Sequence, residues 1–212
     1  MLLFWGALFA PAILRSEVLF EGEIREVHFP FDAVALEQIA EGRAPLWTPR
    51  VFMGYPLLAN VETALLYPLH LPILALGAPE RMITWALALA FLMGGLFAYG
   101  CARAFGQRPT AAAACGLAYM LSGYWLNAFT SLHTIFTNAW QPACLWAVRA
   151  YWRAPSGPRA AAVSGAVAMT ALGGHLQNAF VGLFFLALYA AFEWVRRRRE
   201  PGARAHAARL LT

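Results

Sequence analysis

The chain has 212 residues, of which 60% are hydrophobic and only 13% carry a charge. Its mean hydropathy is +0.54, whereas soluble domains are about 45–50% apolar and about 25% charged. This composition excludes a water-soluble globule. The largest basic cluster, 196–199, directly follows an apolar run and does not form the polar basic surface that a nucleic-acid partner requires. The three cysteines have no paired spacing, so neither a disulfide framework nor a zinc site is indicated.

The apolar runs predict an all-α, polytopic bundle of about six transmembrane helices. A hydrocarbon core about 30 Å thick takes ~20 apolar residues per helical span. We expect the spans to form one domain, 1–212, that is the N-terminal part of a longer protein. The predicted spans are Met1–Leu19, Met82–Ala102, Thr110–Leu126, Ile135–Tyr151, Ala160–Gly173 and Ala179–Val195.

The arginines predict how these spans are oriented. Eleven of the 16 basic residues fall in two connections, 103–108 and 149–159, and in the tail after residue 195. Cytoplasmic loops near span ends carry the excess of arginine and lysine, so these three places are predicted to be cytoplasmic. The protein is then a multi-pass protein of the cytoplasmic membrane with both termini inside. Segments 21–81, 127–134 and 174–178 would lie outside.

The first outer loop, 21–81, holds seven of the eleven acids. Within it, the apolar spacing predicts a short amphipathic helix over Asp32–Glu41, with Gly42 at its C′ position. The apolar run 64–76 contains Pro68 and Pro72. It is too short to cross a bilayer and predicts a re-entrant or interfacial segment.

The order of residues in this loop is specific. It runs through Gly22-Glu23, His28-Phe29-Pro30, Glu41-Gly42, Pro45-Leu46-Trp47-Thr48-Pro49, Gly54-Tyr55-Pro56 and Tyr67-Pro68. This order resembles the first outer loop of the bacterial YfhO-like membrane proteins, which belong to the GT-C class of polyprenyl-phosphate-sugar-dependent glycosyltransferases. The chain departs from the family at Glu23, where Asp is usual, and at Thr48, where Asn is expected.

Later segments are similar to the same family, so the resemblance covers essentially the whole chain. They are Arg103-Ala104-Phe105-Gly106, Ser122-Gly123, Ala139-Trp140-Gln141-Pro142 and Gly174-His175-Leu176-Gln177. The resemblance implies a GT-C-like fold and transfer of a sugar from a polyprenyl-phosphate-linked donor to a cell-envelope acceptor on the outer face. The donor and the membrane lipid are then the partners.

In such enzymes an acid on the first outer loop acts as the general base toward the acceptor hydroxyl. Glu23 is the residue that we expect in this role, although a solvated interfacial acid is the alternative. Asp32 is the second catalytic candidate, and its place after Pro30 equally suits a helix N-cap. Arg25, Arg50 and Arg81 are candidates for holding the leaving phosphate, with no choice among them.

Four further residues are predicted to contact the substrate: His28, Glu62, His175 and Gln177. For His28 the alternative is an interfacial surface residue, and for His175 and Gln177 it is an interhelical hydrogen bond. Some GT-C enzymes use a divalent metal, but no ligand spacing here indicates one, so neither a metal nor another cofactor is predicted. Two other functions remain open: a transporter or flippase component, and a non-catalytic membrane scaffold.

Overall fold

A computed structural model describes residues 1–15, 22–74 and 79–198. Helices joined by turns and loops make up this part of the chain, and its extended pairing is limited to one antiparallel bridge between Thr48 and Tyr55. The predicted all-α class is confirmed. The α-helices of the described residues are α1 (Leu2–Leu14), α2 (Phe29–Ala40), α3 (His70–Leu74), α4 (Pro79–Ala104), α5 (Pro109–Met120), α6 (Gly123–Asn127), α7 (Leu132–Arg153), α8 (Gly157–Leu172) and α9 (Leu176–Arg197).

In the part of the chain that the structure describes, two helices are long and apolar enough to cross a membrane, over Arg81–Ala104 in α4 and Leu176–Arg197 in α9. Helix α1 is apolar but shorter. Helix α7 has 22 residues, and polar side chains, including His133 and Asn138, lie buried in its first half. These polar residues interrupt the apolar run that a simple span would show.

The segment that we predicted as the third span, Thr110–Leu126, is two helices rather than one. Helix α5 ends at Met120, and α6 begins at Gly123 after Ser122 takes an extended conformation. At a rise of 1.5 Å per residue, the 12 residues of α5 extend about 18 Å. The break was not predicted because the whole segment is apolar.

Helix α7 is the centre of the bundle and packs against α4, α8 and α9. Helix α4 also packs closely against α5 and α6. A Cβ atom on Gly116 of α5 would lie 2.6 Å from the carbonyl oxygen of Gly95, and one on Gly94 would lie 2.5 Å from the Trp125 ring of α6. Glycine at positions 116 and 94 therefore allows α5 and the Trp125 ring to approach α4.

The predicted amphipathic helix is present as α2, which starts three residues earlier than expected. Gly42, at φ +73°, donates its N–H to Ile39 O at 2.9 Å, and the Arg43 N–H bonds Gln38 O at 2.8 Å. These two bonds form a Schellman motif. The prediction that Gly42 occupies C′ is thereby confirmed.

The rest of the outer loop is folded against α2 and α7. Gln38 Nε2 donates to Trp47 O at 2.9 Å, and the rings of Phe31 and Tyr55 stack with centroids 4.9 Å apart. Tyr67 is buried and its hydroxyl accepts a 2.7 Å hydrogen bond from Trp140 of α7. The segment 64–74 thus forms turns and the short helix α3, and residues 75–76 of the predicted re-entrant segment lie outside the described residues.

The three connections that we predicted to share the outer face meet at one end of the bundle. A Cβ atom on Gly22 would lie 3.1 Å from Thr130 Cβ, and one on Gly174 would lie 2.7 Å from Val61 O and 2.9 Å from His133 Cβ. At the other end of α7 and α9, Arg149, Arg196 and Arg197 surround the carboxylate of Glu193.

Candidate functional site

A cluster of one carboxylate and two imidazoles lies where the outer loop meets α7. His28 Nε2 is 3.0 Å from His133 Nδ1. Glu23, His28 and His133 each place one nitrogen or oxygen atom so that the three atoms lie within 4.8 Å of one another. Both histidines are buried, whereas Glu23 is exposed. The imidazole side of the cluster is therefore shielded from solvent, and its carboxylate side is open to solvent.

A π-helical segment, Ile24–His28, positions the first two members. In a π-helix the hydrogen bonds connect residues i and i+5, so Glu23 and His28 lie on the same face. Gly22 precedes the segment at φ +55°, a conformation that glycine adopts without steric cost. His28 is also the residue that leads directly into α2.

The third member, His133, lies in the first turn of α7 and is supported by His175. The two rings stack with centroids 5.2 Å apart and an angle of 10° between their planes. His175 is the N-cap of α9, where its Nδ1 accepts the N–H of Asn178 at 3.2 Å. Its own N–H donates to Thr137 Oγ1 at 3.1 Å. The predicted substrate residue His175 thus fixes a helix start and holds the His133 ring.

Burial keeps His28 uncharged. Desolvation, followed by the nearby His133 and His70 rings, lowers the pKa of His28 to about 3. Among the described residues its Nδ1 has no hydrogen-bond partner. Buried polar atoms normally have at least one hydrogen-bond partner, and this ring nitrogen is an exception.

Asp32, the second catalytic candidate, lies inside α2 rather than at its N-cap. It is 1% exposed, and its Oδ2 lies 3.2 Å from Nε2 of the fully buried His70. His70 Nδ1 lies 3.2 Å from Ala64 O. Burial alone lowers the pKa of His70, but the Asp32 carboxylate and these hydrogen bonds raise it above its usual value. The pair holds α2 against the 64–74 segment and is closed to a substrate in this conformation.

The predicted phosphate ligands are dispersed. Arg25 is exposed and lies 3.2 Å from the Glu26 carboxylate. Arg50 forms a two-pronged contact with Glu37, one arm at 2.7 Å. Arg81 is exposed near the start of α4. Two of the three guanidinium groups are thus already paired with acids of the same loop.

The other predicted substrate residues flank the cluster. Glu62 is exposed in a 3₁₀ turn, Val61–Thr63, next to the carbonyl that Gly174 approaches. Gln177 is exposed and lines a cavity of about 420 Å³ at the outer ends of α7 and α9. The polar lining of this cavity consists of Ser122, Tyr124, Asn138, Gln141, Gln177 and Asn178.

This polar cavity is adjacent to a larger apolar one. Tyr119, Gln141 and Val181 line both of them. The apolar cavity has a volume of about 690 Å³ and extends to Phe105 and Tyr189, toward the arginine-rich end of the helices. The two cavities thus share part of their lining, and polar side chains are more frequent at the outer end than in the apolar cavity.

His133 and the grouping of the histidines were not predicted from the sequence. Most of the motifs that carry the family resemblance lie in the first outer loop, and His133 lies outside that loop. A signal was nevertheless present, because His28, His70, His133 and His175 all fall in segments predicted to be outside. In the structure these four histidines, which are those in the described residues, are gathered at the same end of the bundle.

Comparisons with protein-family models, with curated proteins and with solved structures find no match to this chain. Its function is therefore inferred from its own residues and their geometry.

Proposed function

We propose that the protein is a membrane glycosyltransferase of the GT-C type, which transfers a sugar from a polyprenyl-phosphate-linked donor to a cell-envelope acceptor on the extracytoplasmic face. The observation that carries this proposal is the pair of adjacent cavities that share Tyr119, Gln141 and Val181, of which the outer one has several polar side chains and the other is almost entirely apolar. A polyprenyl-phosphate sugar has the same division into a polar head and an apolar chain. Such a ligand fits a site that is polar at one end and apolar below it.

Contacts connect the cluster to the polar cavity. Glu23 lies beside His133, the His133 ring stacks on His175, and His175 accepts the N–H of Asn178, which lines the cavity. These contacts link the carboxylate of Glu23, through His133 and His175, to the cavity in which the polar head of the ligand would lie. It is exposed, as a group that meets an acceptor from the outer face must be.

The apolar cavity would hold the first isoprene units of the donor, and the polar cavity its phosphate and sugar. Amide and hydroxyl groups that hydrogen-bond across this opening support the second assignment. Asn178 Nδ2 donates to Tyr124 Oη at 2.7 Å, and Gln141 Nε2 donates to Asn178 O at 3.1 Å. Groups of this kind hold sugar hydroxyls by the same hydrogen bonds.

In the reaction, Glu23 takes the proton of the acceptor hydroxyl while that oxygen bonds to the anomeric carbon. The bond from the anomeric carbon to the phosphate oxygen breaks, and polyprenyl phosphate leaves with the electron pair. The carboxylate must be within hydrogen-bond reach of the hydroxyl, and positive groups stabilise the charge that develops on the phosphate. Arg25, Arg50 and Arg81, all exposed, are the arginines that we propose for the second role, with no choice among them.

The proposed membrane topology places about six spans across the bilayer with both termini inside. The two helices that meet the length and apolarity requirement support it, as does the meeting of 22–74, 128–131 and 173–175 at one end. The bundle then has the arginine-rich end in the cytoplasm and the histidine cluster outside.

The test is transfer of labelled sugar from a panel of polyprenyl-phosphate donors by the full chain in nanodiscs. We expect Glu23→Gln to lower turnover about 100-fold or more, as loss of a general base does. Glu26→Gln, which changes an exposed acid three residues away, is the matched control and should leave turnover unchanged. Equal turnover of the two variants would overturn the assignment of Glu23. Donor flipping without transfer would favour a transporter instead.

A further inference from the structure

We propose that Glu23, His28 and His133 bind one divalent transition-metal ion, with Zn²⁺ the best match to their ligand set. Two imidazoles and a carboxylate are the protein ligands of one common type of catalytic zinc site, in which a fourth position stays open. The proposal rests on where these three side chains lie and does not depend on the transferase function.

The distances suit a small ion. One ligand atom from each residue lies within 4.8 Å of the other two. Two nitrogens bound to a tetrahedral Zn²⁺ at about 2.0–2.1 Å are roughly 3.3 Å apart. The facing nitrogens of His28 and His133 are 3.0 Å apart, so they need to separate by only a few tenths of an ångström to take the ion between them.

The environment of His28 also suits a metal ligand. His28 is 1% exposed, and within the described part of the chain the hydrogen-bond partner of its Nε2 is another imidazole nitrogen, Nδ1 of His133. Imidazole binds metals through a ring nitrogen that carries no proton, and the facing nitrogens of this buried pair are the two atoms that the ion would join.

The surroundings orient the ligands and leave a path for the ion. The His175 ring lies parallel to His133 and restricts its rotation, as neighbours of metal-binding histidines commonly do. The exposed carboxylate of Glu23 faces solvent, so the ion reaches the site from the outer side without passing through the bundle.

The ligand chemistry defines which ions should bind. Imidazole nitrogens suit Zn²⁺ and Co²⁺, whereas Mg²⁺ and Ca²⁺ prefer sets of oxygen ligands. With one carboxylate and two imidazoles, the site should discriminate strongly in favour of the first two ions. This discrimination separates a built site from weak attraction of any cation to the acidic loop.

The experiment is a Co²⁺ titration of the full chain, purified in detergent and stripped with EDTA, followed by visible absorption. We expect one Co²⁺ per chain, the intense bands of a four-coordinate ion, displacement by Zn²⁺ and no displacement by excess Mg²⁺. Glu23→Gln and His133→Asn should each weaken Co²⁺ binding by about tenfold or more, whereas Glu26→Gln should not. Circular dichroism and gel filtration check that the His133→Asn protein is folded.

Absence of the Co²⁺ bands, or equal titrations of Glu23→Gln and Glu26→Gln, would overturn the metal site. Because Glu23 is exposed, that comparison stays valid even where the His133 variant fails to fold. The result is also separable from the transferase proposal. Loss of sugar transfer in Glu23→Gln with unchanged Co²⁺ binding removes the metal site alone, and weakened Co²⁺ binding with unchanged transfer removes the catalytic base alone.

Discussion

His133 Nδ1 lies 3.0 Å from His28 Nε2, although the two residues are 105 positions apart in the chain. One belongs to the segment that enters α2 and the other to the first turn of α7. Both side chains are buried, so the contact lies inside the protein. The outer loop is therefore an integral part of the bundle, and changes at this junction should affect both folding and function.

Gly174→Ala should destabilise the protein and displace His133. Gly174 has φ +102°, and an added Cβ would lie 2.7 Å from Val61 O and 2.9 Å from His133 Cβ. Backbone strain costs about 1–2 kcal/mol and overpacking a further 1–3 kcal/mol. A loss of about 2–5 kcal/mol of unfolding free energy is expected. Thermal unfolding in detergent measures it, at about 2–4 °C in Tm per kcal/mol.

Gly42→Ala is the matched control for this variant. Gly42 also has positive φ, at +73°, but an added Cβ would meet no atom within 4 Å. The Gly42→Ala variant should therefore lose only the unfolding free energy due to backbone strain, about 1–2 kcal/mol. If both variants melt at the same temperature, the close approach of the three outer connections at Gly174 is wrong.

The elements with strong local signals were predictable from the sequence. Helix α2 and its Gly42 cap depend on apolar spacing and on one glycine, and both are local properties. The break between α5 and α6 was not predictable, because Leu121, Ser122 and Gly123 stand in an apolar stretch whose average composition suits a continuous helix. The average hydrophobicity of a segment indicates how readily that segment transfers to lipid, but it does not detect a local change of backbone direction.

Part of the site was also predictable, because that part depends on residues that are close together in the sequence. Glu23 and His28 stand five residues apart, so their neighbourhood was visible in the sequence. The approach of His133 depends on how α7 packs against the loop, which is a tertiary property. Asp32 shows the opposite error: a polar residue after a proline suggests a cap, yet the fold buries it against His70. Which polar residues face a partner instead of solvent is decided by packing.

Asp32→Ala should destabilise the fold strongly. The substitution leaves the fully buried His70 Nε2 without its partner, and a buried polar group that loses its partner costs about 1–3 kcal/mol. Asp32→Asn retains an acceptor oxygen at the same place and should cost less. Urea unfolding of the two variants, compared with Glu26→Gln as the surface control, measures the difference. Equal losses in Ala and Asn would mean that the hydrogen bond to His70 does not stabilise α2.

Glu193→Ala should loosen the junction of α7 and α9. The Glu193 carboxylate is 3% exposed and accepts from Arg149 at 2.8 Å, from Arg196 at 2.6 Å and from Arg197 at 2.9 Å. Its removal takes a shared, buried acceptor from three guanidinium groups that are 17–47% exposed, and losing a hydrogen bond to a charged group costs about 1.5–3 kcal/mol. The control is Glu37→Gln, which breaks the exposed pair with Arg50 and should cost much less, because solvent screens an exposed ion pair. Similar melting temperatures for the two would contradict the buried network.

The proposed orientation predicts which cysteines a membrane-impermeant maleimide labels in intact cells. Met53 is fully exposed on the outer loop, and Gln107 is exposed in the connection between α4 and α5. In a background with the three native cysteines replaced, Met53→Cys should be labelled in intact spheroplasts. Gln107→Cys should be labelled only after lysis, because arginine-rich connections stay in the cytoplasm.

Ala154→Cys adds the second predicted cytoplasmic connection, between α7 and α8, and should behave like Gln107→Cys. The proposed topology places an even number of crossings between positions 107 and 154, so the pair tests the crossings made by 109–153 independently of the outer loop. Labelling of Ala154→Cys but not of Gln107→Cys in intact spheroplasts would mean an odd number of crossings there. The break at Ser122 would then divide a re-entrant pair, α5 and α6, from a single span, α7.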